Sequence, residues 1–157
     1  MSATGLQTFG LYLQTLAIVT SVIFIIIGWK VLYRNARRIA KRNETYALLM
    51  KTQNEILHAE KRGLDFWSHP TIRTSLDSYL LALNVQRIGN LLDLLSKRGL
   101  NVDDHYIYRL RNAITLDAEK PGTVTQEKIQ RKLVHISDFS QRIQNDLHSA
   151  FVGRYPI

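Results

Sequence analysis

The chain has 157 residues, no cysteine, 45% apolar side chains and a formal charge of +8. The missing thiols exclude disulfide staples and thiolate zinc sites, and the length allows one small domain beside an anchor. A uniformly basic surface is excluded as well, because residues 30–42 hold six cations and no carboxylate, whereas residues 44–157 hold fifteen Lys and Arg against thirteen Asp and Glu. Nucleic acid is therefore not an expected partner.

Residues 1–8 carry no charged side chain and read as a short extracytoplasmic tail. Next comes the one long apolar run, predicted as a transmembrane helix over 9–32. Leu11 to Trp29 supplies nineteen mostly apolar residues, and crossing hydrocarbon takes about 20. Ile18 to Ile27 offers only Thr20 and Ser21 as polar side chains, so the polar face of a soluble helix is missing. No Lys or Arg precedes the run and no small-residue cleavage site follows it, so a cleaved leader is not expected. Lys30, Arg34, Arg37, Arg38, Lys41 and Arg42 lie on one flank only. That asymmetry predicts a membrane protein with its amino terminus outside and its body in the cytoplasm. The six cations are the expected contacts to anionic headgroups, at about 1 kcal/mol each near the surface. Tyr12, Trp29 and Tyr33 sit where aromatic rings favour the membrane interface.

Within the span, Gln7, Gln14, Ser21, Gly28 and Asn35 recur every seven residues, with Gly10 and Ala17 at the intermediate steps. Small and polar residues on one face let helices approach and hydrogen-bond in lipid, and a seven-residue period suits a left-handed assembly. The same face could line a water-filled pore. Both readings predict a homo-oligomer.

Residues 33–62 are predicted as a basic juxtamembrane helix ending at Arg62-Gly63, since no Pro or Gly interrupts them. Leu32, Ala36, Ile39, Asn43, Tyr46, Met50, Gln53 and Leu57 follow steps of four and three. Such a stripe makes either a coiled coil or a packing face for the chain's own domain.

The remainder, 63–157, is expected to be a cytoplasmic helical domain, because no stretch alternates as a strand. Ser68 to Pro70 opens a helix whose apolar face is read as Ile72, Leu76, Leu80, Leu83, Leu91 and Leu94, up to Gly99. Asn101 is read as the cap of the next, with Tyr106, Ile107 and Leu110 to Leu116. A loop at 117–122 leads to Thr123-x-x-Gln126, a capping-box spacing. Ile129, Leu133, Ile136, Phe139, Ile143, Leu147 and Phe151 then run at helical spacing. The five histidines, His58, His69, His105, His135 and His148, share no metal-ligand spacing. No phosphate loop or nucleophile elbow is present, so no catalytic residue, metal or cofactor is expected.

Leu110-Arg111-Asn112-Ala113-Ile114, followed by a loop and a long amphipathic helix, resembles the carboxy-terminal half of HEPN domains. The resemblance implies a small helical bundle; many members are RNases in which an Arg, often followed by Asn, is separated from a later His by four to six intervening residues. Here Leu116, Asp117 and Ala118 stand where that His is expected, so Arg111 and Asn112 form a degenerate motif. Arg62 with His69 and Arg98 with His105 fit the bare spacing, each across a glycine. The basic stretch, Asn43-Glu44-Thr45 and Leu83-Asn84 resemble a bacterial family of small anchored proteins. The overall plan is similar to the accessory membrane proteins of type VI-B CRISPR systems. These resemblances imply a non-enzymatic, oligomeric effector of antiviral defence that permeabilises the membrane and binds a cytoplasmic protein. A membrane-tethered RNase or toxin and a passive scaffold are the alternatives.

Overall fold

The computed structural model describes residues 3–156, with their side chains except those of residues 3–11, 13, 15 and 71. The described residues are all-helical, without a strand: α1 (Ala3–Ser68), α2 (Ser75–Ser96), α3 (Asp104–Thr115) and α4 (Gln126–Arg154), with short 3-10 turns at Pro70–Ile72 and Pro121–Thr123. Two compact units divide the chain, Met1–Asn43 and Glu44–Ile157.

The described residues of the first unit all lie on α1. From Leu16 onward α1 contains a stretch long and apolar enough to cross a membrane, and none of that window is buried. Its large side chains, Phe24, Ile25, Ile26 and Trp29 among them, are all exposed.

The second unit has its own core, and the carboxy-terminal part of α1 contributes to it. Thr45, Leu49, Thr52, Ile56, Ala59, Phe66 and Trp67 are buried with Leu95, Ile114, Ile136, Ile143 and Leu147. The stretch 44–62, expected as a juxtamembrane helix, thus belongs to the packed unit. The face it buries is centred beside the expected stripe: Tyr46, Met50 and Leu57 are exposed and Gln53 half-buried, and of the stripe Tyr46 packs against Phe151 of α4 at 5.6 Å between ring centres. Sequence inspection overlooked the true face because Thr45 and Thr52 read as polar. Folding satisfies them, the Thr52 hydroxyl donating to the Leu48 carbonyl at 2.8 Å.

α1 also runs past its expected end at Gly63. A Cβ there would lie 3.3 Å from side-chain atoms of both Ile114 and Ile136, so this glycine permits close helix approach and does not break the helix.

The opening of α2 is corrected too. Pro70 sits in a separate turn, and the helix starts at Ser75, after a capping box in which Thr74 Oγ1 accepts from the Asp77 backbone N–H while Asp77 accepts from that of Thr74. Its buried face is Leu81, Ile88, Leu91, Leu92 and Leu95, whereas Ile72, Leu76, Leu80, Leu83 and Leu94 are exposed. Of the expected stripe only Leu91 points inward. Gly99, at φ +80°, ends the following turn, with the Leu100 N–H returning to the Leu95 carbonyl at 3.0 Å.

The cap of α3 is Asp103, which accepts from the His105 N–H at 2.9 Å, and Asn101 instead accepts from the Ser96 hydroxyl. α4 starts from Thr125 without a side-chain cap, so the expected Thr123 box is absent. Its apolar face is as expected: Ile129, Ile136, Ile143, Leu147 and Phe151 are buried, and Leu133 and Phe139 half-buried.

Candidate functional site

In the first unit, Gln14, Ser21, Gly28 and Asn35 are exposed on α1, and Gln7 lies outside the described side chains. The hydroxyls of Thr20 and Ser21 donate to the carbonyls of Leu16 and Ala17 at 2.8 Å, within the same helix. Gln14 and Asn35 have no such partner among the described residues. A Cβ added at Gly28 would meet nothing within 4 Å. This face is therefore smooth at Gly28, self-satisfied at Ser21 and unsatisfied at Gln14. Were this stretch to lie in hydrocarbon, where an unpaired amide costs several kcal/mol, Gln14 would need a second helix or water. Lys30, Arg34, Arg37, Arg38, Lys41 and Arg42 are all exposed, as contact with headgroups requires.

In the second unit the degenerate motif opens onto a cleft of about 730 Å³ lined by Tyr108, Arg111, Asn112, Lys120 and Lys128 among others. Asn112 also lines a neighbouring depression of about 310 Å³ with Arg109, Arg131, Lys132 and His135. The floor is held by the end of α3, whose last carbonyls lack helical donors. The Trp67 indole N–H donates to the Ile114 carbonyl at 3.1 Å. Lys132 Nζ donates to the Leu116 carbonyl, lies 3.8 Å from the Asp117 carboxylate and sits 4.4 Å from the centre of the Trp67 ring. Burial pushes the Lys132 ammonium below the ordinary lysine range, and Asp117 partly opposes this. The cation is retained because it faces the negative end of α3 and a π face.

Around this floor the charges divide. Arg131 pairs with Glu127 and Lys132 with Asp117. Arg109, Arg111, Lys120 and Lys128 have no carboxylate partner among the described residues. Asp117 and Glu119 line the cleft as well, so Arg111, Lys120 and Lys128 leave it only a small cationic excess with which to attract an anionic group. The residue that sequence spacing missed is His135: it comes from α4, is exposed, and stacks on Phe139 at 5.5 Å between ring centres. Only folding brings it beside Arg109 and Asn112.

The other Arg and His pairs are not brought together. Arg62 donates to Asn84 Oδ1 at 3.2 Å while His69 sits by Asp65. Arg98 reaches Thr45 and Glu44 while His105 packs edge-on against Tyr106. Among the described residues no group of His, Asp and Glu could hold a metal ion. Comparison with protein families, curated proteins and solved structures finds no match.

Proposed function

We propose that this chain is an oligomeric, single-span membrane protein with its helical domain in the cytoplasm, acting in antiviral defence by permeabilising a bacterial inner membrane. The observation that carries this reading is Gln14, an exposed amide without a partner in its own helix, on the face it shares with Ser21, Gly28 and Asn35. Identical helices meeting on that face give the amide a partner, either another Gln14 or water along an axis. The cations of the α3–α4 cleft suit an acidic segment of a cytoplasmic protein partner. The similarity in plan to CRISPR accessory membrane proteins supplies the defence context.

The tethered-RNase alternative is favoured by one observation, the placing of Arg109, Asn112 and His135 around one depression. A single experiment separates the two readings: purified full-length protein is assayed for dye release from vesicles and for RNA cleavage. Wild type is expected to release dye and leave RNA intact. Gln14→Leu should suppress release by making the wet face apolar and prone to dewetting, and Gly28→Leu should shrink the oligomer. Cleavage lost in Arg109→Ala and His135→Ala, with release unaffected by Gln14→Leu, would replace the membrane reading with the nuclease.

A further inference from the structure

The seven-residue step that runs through Gln14, Ser21, Gly28 and Asn35 does not stop at Asn35. One further step reaches Arg42, and the step after that reaches Leu49. Leu49 is buried in the core of the second unit, whereas Arg42 is exposed and belongs to the first. Arg42 is therefore the last free member of this face and its only charged one.

Direction round the helix sets Arg42 apart from other cations. Seven residues fall about 20° short of two full turns, so Arg42 stands within about 20° of Asn35. Arg37 lies two residues from Asn35 and five from Arg42, which at 3.6 residues per turn puts it about 140° or more from either. Height along the helix sets Arg42 apart as well. The expected span ends at residue 32, and ten further residues at about 1.5 Å each carry Arg42 roughly 15 Å beyond it. The headgroup layer is only about 5–8 Å deep. Lys30 and Arg34 reach it, and Arg42 lies past it, so headgroup contact leaves this residue unexplained. Among the described residues no carboxylate pairs with Arg42, and Glu44, two residues on, faces Arg98 at 3.6 Å.

We infer that Arg42 turns toward the axis of the assembled spans, where one guanidinium from each subunit forms a ring at the cytoplasmic mouth that passes anions in preference to cations. The inference rests on the membrane assembly proposed above and names the class of solute that crosses it. The other members of the face are uncharged, so the ring sets the field. A ring of like charge concentrates counter-ions by about tenfold or more and repels ions of its own sign. Arginine keeps that charge at any physiological pH. The permeant solutes are thus small inorganic anions such as chloride.

Full-length protein in planar bilayers reports the preference as a reversal potential under a KCl gradient. Wild type is expected to pass chloride about tenfold more readily than potassium, and the preference should fade at about 1 M salt, where the Debye length shrinks to about 3 Å. Arg42→Gln should abolish it and Arg42→Lys should keep it. Arg37→Gln removes the same charge from the opposite side of the helix and should leave it unchanged. The chain has no cysteine, so Arg42→Cys carries a single thiol, and coupling a quaternary-ammonium thiosulfonate to it should restore the lost preference. Conductance without preference in the wild type, or a preference that falls equally in Arg42→Gln and Arg37→Gln, overturns the ring and leaves the pore standing. A wild type that conducts nothing removes the permeability reading itself, and the ring with it.

Discussion

Lys132 and Trp67 do related work from different helices: each supplies a donor to a carbonyl at the end of α3, and the ammonium packs over the indole. Arg111 and Asn112 lie on the last turns of that helix, so the frame of the cleft depends on these two donors. Trp67→Phe keeps an aromatic body but leaves the Ile114 carbonyl without its donor. An unsatisfied buried acceptor costs about 1–3 kcal/mol, and the smaller ring adds a cavity. We expect a loss of about 2 kcal/mol or more, read as a lower melting temperature of the full-length protein in detergent. An unchanged melting temperature would show that the indole N–H is dispensable. Neither residue was legible as a site: Trp67 reads as core, and Lys132 reads as a solvent-facing charge on an amphipathic helix.

Among the elements, legibility followed the redundancy of the apolar pattern. α4 has one apolar face, with Ile129, Ile136, Ile143 and Leu147, and that face is the buried one. α2 carries adjacent leucines at 80 and 81, 91 and 92, and 94 and 95. Two apolar stripes one residue apart, about 100° around the helix, are therefore both drawn in the sequence. Tertiary packing chose the one through Leu81, Ile88, Leu92 and Leu95. Caps were also ambiguous, since Thr74-x-x-Asp77 and Thr123-x-x-Gln126 have one spacing and only the first forms the reciprocal bonds. The bonds from the Thr74 backbone and then its hydroxyl hold the Asp77 carboxyl below the ordinary carboxylate value. A carboxylate with a lowered folded pKa stabilises above its unfolded pKa, and that contribution fades as pH falls through the folded value. Loss of the capping hydroxyl in Thr74→Ala should cost about 1 kcal/mol at neutral pH. The difference from wild type should narrow once acid has protonated Asp77 in both. Thermal melts at neutral and acidic pH check this, and a gap that widens in acid would contradict it.

For the whole molecule, the proposed topology rests on the cation asymmetry. With Lys30, Arg34, Arg37, Arg38, Lys41 and Arg42 on one flank and no charge on the other, a reporter enzyme fused after Ile157 should be active only in the cytoplasm. Periplasmic activity would invert the orientation and separate the α3–α4 cleft from any cytoplasmic partner. The long apolar helix was readable because it depends on composition over about 20 residues, whereas the cleft was not, since it joins α3 and α4 through tertiary contact.

The dual use of α1 also fixes an order of events during synthesis. The long apolar stretch is made first, and the core residues Leu49, Ile56 and Trp67 follow it on the same helix. Their cover arrives last: Glu60 waits for Ser137, which lies 77 residues later, and Thr45 for Tyr155, 110 residues later. Until α4 leaves the ribosome, the nascent chain keeps this apolar face uncovered, and long-range closure of this kind is slow. The final helix thus decides whether the domain closes on itself.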